Sequence, residues 1–206
     1  MAMLVGQITR PLAVAPMGRV DLVAVRFRPY GASLLHTPMS EITDAWVDVS
    51  SAFGDLVERL RQGASTAERV GRIGERLTAI AADGGRLDPR VVSAVDRIEA
   101  TDGAVAIADL ASELATTPRH LQRLFGDAVG ITPKLLCRIR RFQRVFAAWR
   151  DDPGNWAAVA VRCGYFDQAH LVRDFTELGG SAPAGLVAEL PEFTRLFTAL
   201  NPAVSR

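Results

Sequence analysis

The chain has 206 residues, of which 49% are hydrophobic and 23% charged, and its net charge is +1. This length allows one large or two small domains with their own cores, and the composition is typical of a globular protein. No apolar run reaches the roughly 18 residues that a membrane span requires, and the start lacks the basic and apolar stretches of a signal peptide. We therefore expect a cytoplasmic protein without a membrane segment.

The first part of the chain is predicted to be a small, partly β-rich domain. Residues 4–8 and 20–27 have strand character, and Pro29 and Gly31 close the second strand. Residues 53–61 are predicted to form one short helix that ends at Gly63.

A further helix is predicted to begin at a capping box formed by Ser65 and Glu68. Its apolar residues share one face: Ala67, Val70, Ile73, Leu77 and Ile80. Asp83-Gly84-Gly85 ends this helix, so we place the boundary of a first domain, 1–84, at this point.

The remainder is predicted to be all helical. Helices begin after the caps Asp88, Thr117, Thr132 and Asp167, and two more begin at Ile107 and Trp156. The helix that starts at Pro133 is long and runs to about Arg150. We expect a second domain over 88–190 and a tail over 191–206 that contains one more short amphipathic helix.

This helical region contains an internal repeat. His120-Leu121-Gln122-Arg123-Leu124-Phe125 returns as His170-Leu171-Val172-Arg173-Asp174-Phe175, and Gly130 and Pro133 return as Gly180 and Pro183. Upstream, residues 107–111 are mirrored by 156–160, with one residue of slack before the repeat. Such a repeat indicates a duplicated supersecondary unit. Each copy is predicted to form a helix-turn-helix, which we call unit one and unit two.

Both units carry side chains suited to reading DNA. In a helix-turn-helix the second helix lies in the major groove, where arginine reads guanine and glutamine reads adenine. The predicted base-reading residues are Arg119, Gln122 and Arg123 in unit one, and Gln168, Ala169, His170 and Arg173 in unit two.

Basic residues are concentrated in the same region. A net charge of +1 taken alone argues against a nucleic-acid binder, but seven Arg and Lys side chains lie between Arg119 and Arg144 and are opposed by Asp127 alone. The predicted phosphate contacts are His120, Lys134, Arg138, Arg141 and Arg144. The helix from Pro133 to Arg150 would be about 27 Å long, a plausible spacer for two units that enter major-groove faces about 34 Å apart.

These motifs resemble those of one known family. The region from about Val105 to Pro183 is similar to the DNA-binding domain of the AraC/XylS transcription regulators; the motifs that carry the resemblance are Leu110-Ala111, the segments 119–125 and 130–133, Arg141, and the segment 159–175. The family implies transcription control by two major-groove helices. The chain departs from it at Leu136, Leu186 and Val187, where the family usually has two aromatic residues and an arginine.

Unit two also differs from unit one in its charges. Asp167, Asp174 and Glu177 surround one arginine there, which is a poor face for a polyanion. We therefore expect unit one to dominate the affinity for DNA.

The start of the chain, around residues 26–32, resembles the end of the cupin-like sensor domain found in some members of the family. Two or three short strands cannot close a barrel around a ligand. We therefore expect this segment to form a homodimer rather than to bind a small-molecule effector.

Catalysis has little support in the sequence. It contains no nucleophile elbow, no glycine-rich phosphate loop and no His/Glu pair at metal spacing, and Cys137 and Cys163 are expected to be buried free thiols. We expect no enzyme activity, no cofactor and no metal. The fold class is predicted to be α+β and mostly α, and double-stranded DNA is the predicted partner. The alternative is a protein–protein interaction module that keeps the helical scaffold and dimerises with or titrates another regulator.

Overall fold

The computed structural model describes residues 1–11, 21–61, 65–84 and 87–189. In these ranges the chain is mainly helical, and it begins with a two-stranded antiparallel sheet of β1 (Met3–Val5) and β2 (Trp46–Asp48). Two 3₁₀ helices, Gly31–Leu35 and Met39–Glu41, lie between the strands. The α-helices of the described ranges are α1 (Ser50–Phe53), α2 (Leu56–Arg61), α3 (Thr66–Asp83), α4 (Pro89–Ala100), α5 (Ile107–Glu113), α6 (Pro118–Val129), α7 (Pro133–Asp151), α8 (Trp156–Arg162), α9 (Gln168–Gly179) and α10 (Pro183–Glu189). The predicted α+β class with mostly α structure is confirmed.

The N-terminal sheet covers a small core of its own. Leu4 of β1 lies opposite Val47 of β2, and the buried residues beneath the sheet are Leu4, Ala32, Met39, Ile42 and Val49. The strand predicted over 20–27 is wrong for its described part: residues 21–27 form neither strand nor helix, and Leu22 and Val25 are exposed. A β-rich composition forms a strand only where another strand supplies hydrogen-bond partners, and β1 and β2 pair with each other. Val20 lies outside the described residues.

The helix predicted over 53–61 needs correction, and several other predictions fall on residues outside the described ranges. The single helix predicted over 53–61 is two helices, α1 and α2, because Gly54 interrupts it with a φ of 54°. Gly63, Gly85 and the tail over 191–206 lie outside the described residues.

Helix α3 begins at the predicted capping box. The Glu68 amide donates to Ser65 Oγ at 3.3 Å, and the Ser65 amide donates to Glu68 Oε2 at 2.8 Å. The helix ends at Asp83 as predicted, but none of its residues is buried. Its apolar face is half-exposed at Ile73, Leu77 and Ile80, and Val70 is 57% exposed. Much of the predicted apolar stripe therefore stays at the surface.

The C-terminal helices surround two cores, which α7 connects. The first core contains Val95, Ile98, Leu110, Leu121 and Phe125, and helices α4, α5 and α6 and the first half of α7 contribute to it. The second core belongs to the second half of α7 and to α8, α9 and α10. At its centre the ring of Phe142 lies 5.2 Å from that of Phe146 and 4.5 Å from that of Phe175. Each helix-turn-helix unit thus has its own hydrophobic core, and the continuous helix α7 contributes to both cores. Every helix in the described ranges is too short or too polar to cross a membrane.

The N-terminal segment contacts the first of these cores directly. The Thr43 hydroxyl donates to the Gly130 carbonyl at 2.8 Å, and Arg28 donates to Glu99 at 2.8 Å and also pairs with Asp96. Gly130 ends α6 with a φ of 86°, and a Cβ added there would lie 2.4 Å from the Met39 carbonyl oxygen. The second 3₁₀ helix therefore packs tightly against the C-terminal end of α6.

Candidate nucleic-acid interface

Helix α6 has one buried and one exposed face. Thr117 caps it by accepting a hydrogen bond from the His120 amide at 3.2 Å, and Pro118 occupies its first turn. The buried face consists of Leu121, Phe125 and Val129. The predicted base-reading residues Arg119, Gln122 and Arg123 are all exposed on the remainder of the helix. The helical period separates these two sets, so burial of the apolar face directs the three polar side chains outwards.

One of these side chains has a neighbour that orients it. Arg123 Nη2 lies 3.1 Å from Nδ1 of the half-buried His120. The predicted contact of His120 with phosphate stays a prediction, and the structure adds that His120 lies beside Arg123, one turn further along α6.

Helix α9 repeats this arrangement with different side chains. Asp167 caps it by accepting from the His170 amide at 2.6 Å, and Leu171, Phe175 and Leu178 are buried. Gln168, Ala169 and Arg173 are exposed as predicted, whereas His170 is half-buried with its ring 5.2 Å from that of Tyr165, edge to face. The exposed start of α9 is therefore less charged than that of α6.

Two of the three acidic residues behind the predicted poor face of unit two, Asp174 and Glu177, take part in an internal ion pair. Arg138 of α7 donates to Asp174 Oδ1 at 2.8 Å and to Glu177 Oε1 at 3.1 Å. The Asp174 side chain is only 5% exposed, so its charge is held inside the molecule. The hydrogen bonds from Arg138 lower the pKa of Glu177 and in turn raise the pKa of Arg138. Asp174 and Glu177 thus share a single cation that was predicted to contact phosphate.

The five predicted phosphate contacts therefore have different environments. Lys134 is exposed at the start of α7. Arg144 pairs with Asp102 at 2.7 Å, and Arg138 is held by the two carboxylates of α9. Arg141 lies 5.4 Å from the centre of the Tyr165 ring and donates to the Gly164 carbonyl at 3.4 Å. Sequence reasoning missed these pairings because the carboxylates that hold Arg138 and Arg144 belong to other parts of the chain.

A second feature that sequence reasoning did not interpret is Phe166. This residue directly precedes the α9 cap Asp167 and is 91% exposed. The signal for it was the single residue of slack between the two copies of the repeat. The neighbouring Tyr165 is buried, and burial raises the pKa of its hydroxyl well above the ordinary value.

A metal centre finds no support in the described part of the chain. In those ranges His, Cys, Asp and Glu side chains form no group of three or more that could hold a metal ion. Cys137 and Cys163 are both buried and unpaired thiols, as predicted.

Comparison with known proteins identifies the C-terminal fold. A family model described as a helix-turn-helix domain matches residues 110–188, which include α6, α7, α8 and α9 in full and the last four residues of α5. This segment is an AraC-type helix-turn-helix domain. The predicted family resemblance is thereby confirmed.

The AraC-type domain also has a curated relative. The HTH-type transcriptional regulator Rv1931c of Mycobacterium tuberculosis is 31% identical over 81 residues, which cover 39% of this chain and 31% of that protein. The chain thus matches less than a third of the length of this relative. No solved structure matches the chain.

The N-terminal segment matches a different family model. A family model described as a domain of unknown function (DUF6597) covers residues 1–48 and ends with the last residue of β2. The match therefore comprises the small sheet and the two 3₁₀ helices rather than the whole predicted domain 1–84. The resemblance to a cupin-like sensor stays a prediction.

Proposed function

We propose that the chain is a sequence-specific transcription regulator that places α6 and α9 in successive major grooves of double-stranded DNA. The observation that carries this proposal is the exposed face of α6. Arg119, Gln122 and Arg123 lie together near the N-terminal half of that helix, where a recognition helix contacts base edges. The AraC-type domain and its curated relative support the same function.

The length of α7 supports the proposal that both helix-turn-helix units bind the same DNA duplex. Its 19 residues give a length of about 28 Å, close to the roughly 34 Å between major-groove faces on one side of the duplex. Because α7 contributes to both hydrophobic cores, the two recognition helices are attached to one rigid element. Lys134 and Arg141 are proposed to contact the phosphates, whereas Arg138 and Arg144 are proposed to hold the helices together through their carboxylate partners.

Selection of binding sites from genomic fragments with the purified protein tests this proposal. We expect an enriched sequence with two half-sites, and a triple variant R119A/Q122A/R123A that folds normally but enriches none. All three side chains are exposed, so their loss leaves the core of unit one intact. If the parent protein enriches no sequence, the alternative of a protein–protein interaction module replaces the DNA-binding proposal.

We further propose that the chain forms a homodimer through α3. Helix α3 has an apolar stripe but no buried residue, so the stripe is available to a second copy. A cleft between α3 and the first 3₁₀ helix has a volume of about 260 Å³ and is lined by Phe27, Leu35 and Leu77. A second cleft, between α2 and α3, has a volume of about 650 Å³ but is lined mainly by charged side chains, among them Arg59, Arg72 and Glu75. Ligand sites are lined mainly by apolar side chains, so the dimer is favoured over a small-molecule effector.

Sedimentation equilibrium of the full chain tests the dimer. We expect the parent to be dimeric in the micromolar range and Val70→Lys to be monomeric, since Val70 is 57% exposed on α3. Val161→Lys, at a position that is 69% exposed on α8, is the matched control and should remain dimeric. A monomeric parent would overturn this proposal and return the effector to consideration.

A further inference from the structure

The two turns of the AraC-type domain can be aligned by their backbone hydrogen bonds. The Thr116 amide donates to the Ala111 carbonyl at 2.9 Å, and the Tyr165 amide donates to the Ala160 carbonyl at 3.0 Å. The residue before each donor has a positive φ, 48° at Ala115 and 76° at Gly164. Thr116 and Tyr165 are therefore equivalent positions.

This alignment locates the one residue by which the units differ in length. In unit one the cap Thr117 follows Thr116 directly, whereas in unit two Phe166 stands between Tyr165 and the cap Asp167. Phe166 is thus the additional residue of the second turn.

The inserted phenylalanine lies at the end of the recognition helix that would enter the groove. Phe166 is 91% exposed, while the Tyr165 ring beside it is buried in the second core. Because Tyr165 supplies the packing of this turn, Phe166 contributes a large apolar side chain to the surface without a packing role.

Two positions of α9 are also apolar where unit one is polar. Counting from the caps, Ala169 and Val172 of α9 occupy the positions of Arg119 and Gln122 in α6. Ala169 is exposed, so it extends the apolar surface that begins at Phe166. In the major groove the apolar group on a base edge is the C5-methyl of thymine, which phenylalanine and alanine side chains contact.

We propose that Phe166 contacts thymine methyl groups in the second half-site, so that unit two selects thymine by apolar contact while unit one reads bases by hydrogen bonds. This inference rests on the proposed DNA binding. It assigns a specificity-determining role to a side chain that the two units do not share.

Replacement of thymine by uracil, which lacks only the C5-methyl, tests the contact. Binding of the full chain to a selected two-half-site duplex is measured with thymine or uracil in the second half-site, for the parent and Phe166→Ala. We expect uracil to weaken the parent about fourfold for each methyl contacted. Phe166→Ala should weaken binding to the thymine duplex by a similar factor and should lose most of the sensitivity to uracil, because the shorter side chain at position 166 no longer reaches the methyl group. Phe166→Leu should retain part of the thymine preference.

Val161→Ala is the matched control, since Val161 is 69% exposed on the adjacent helix α8. Val161→Ala should bind the thymine duplex with the affinity of the parent. Uracil should weaken its binding by the same factor as in the parent. The contact is overturned if Phe166→Ala binds the thymine duplex like the parent, or if it keeps the full sensitivity to uracil. A parent that prefers no duplex at all overturns the DNA-binding proposal itself, whereas a sequence-specific parent that is unaffected by the Phe166 change overturns the contact alone.

Discussion

Arg123 combines an exposed guanidinium with a fixed neighbour. The 3.1 Å contact with His120 Nδ1 restrains the side chain before any ligand arrives, which lowers the entropy that binding must remove. We expect Arg123→Ala to cost about 1–3 kcal/mol on the preferred site and to relax the preference at one base position. The measurement is the affinity for the selected site and for all single-base variants of it.

Lys134→Ala provides the comparison for Arg123. Lys134 is exposed at the start of α7, so its loss should weaken binding equally on all sequences. The slope of log affinity against log salt should become shallower by about one unit. If Arg123→Ala keeps the parent's ratio of cognate to random affinity, the assignment of Arg123 to base reading is wrong.

The two thiols give a prediction about pH. Burial raises the pKa of Cys137 and of Cys163 to about 11, and the thiolate is the reactive form. At pH 8 we expect both to resist Ellman's reagent in the native protein and to react in urea. The pKa of each thiol in the folded protein lies above the value of about 8.5 in the unfolded chain. The contribution of the two thiols to the free energy of unfolding is therefore complete below about pH 8.5 and is lost as the pH rises towards 11. Native labelling at the rate of a free cysteine would contradict this.

At the scale of elements, the joint between α7 and α9 depends on one cation. Arg138 is 21% exposed and faces the Asp174 carboxylate, which is 5% exposed. We expect Arg138→Ala to lower the free energy of unfolding by about 3 kcal/mol, because it leaves a buried carboxylate without its counter-charge. Urea denaturation measures the loss.

Arg144→Ala is the control for this joint. Its partner Asp102 is 24% exposed and Arg144 itself 41%, so this pair should contribute no more than about 1 kcal/mol. A loss at Arg138 no larger than at Arg144 would show that the buried pair is not needed. The slope of DNA affinity against salt should also be the same for Arg138→Ala and the parent, in contrast to Lys134→Ala.

The elements of the AraC-type domain could be predicted from sequence because their signals are local. The caps Asp88, Thr117 and Asp167 lie at the predicted positions, and apolar periodicity separates the buried from the exposed face of α6. The partners of Arg138 could not be predicted. Asp174 and Glu177 follow it by 36 and 39 residues, and periodicity within α7 carries no information about which face of α9 is opposite.

At the scale of the whole molecule, the N-terminal segment and unit one share a tight contact at Gly130. An alanine there would adopt an unfavourable φ of 86° and would also bring its Cβ to 2.4 Å from the Met39 carbonyl oxygen. We expect Gly130→Ala to displace the second 3₁₀ helix and to increase hydrogen exchange over residues 39–45. The free energy of unfolding should fall by more than the roughly 1–2 kcal/mol that the backbone conformation alone costs.

Gly154→Ala separates conformational strain from the clash. Gly154 has a φ of 99°, and a Cβ there would meet no atom within 4 Å. Gly154→Ala should therefore lower the free energy of unfolding only by the cost of the backbone conformation. Hydrogen exchange over residues 39–45 should be unchanged. Equal effects of the two variants would indicate that the contact with Met39 is dispensable.

The N-terminal part was the least predictable from sequence. Leu22 and Val25 favour a strand by composition, yet both are exposed, since pairing is decided by the long-range match of Met3–Val5 with Trp46–Asp48. The docking of Met39 and Thr43 on α6 also depends on residues far apart in the chain. A sequence indicates which residues favour a strand but not which strands pair with each other.

The chemical difference between α6 and α9 gives a bound site a polarity. Palindromic operators mirror a twofold axis in the protein, and no such axis relates a helix that presents Arg119 and Gln122 to one that presents Ala169 and Val172. A single chain should therefore distinguish left from right on the duplex, and its target should be a directional sequence. Exchanging the order of the two half-sites while keeping each half-site intact should reduce the affinity to that of unit one alone. Equal affinity for both orders would show that the two helices do not read one continuous site. The orientation of a promoter relative to such a site would then have no effect on regulation.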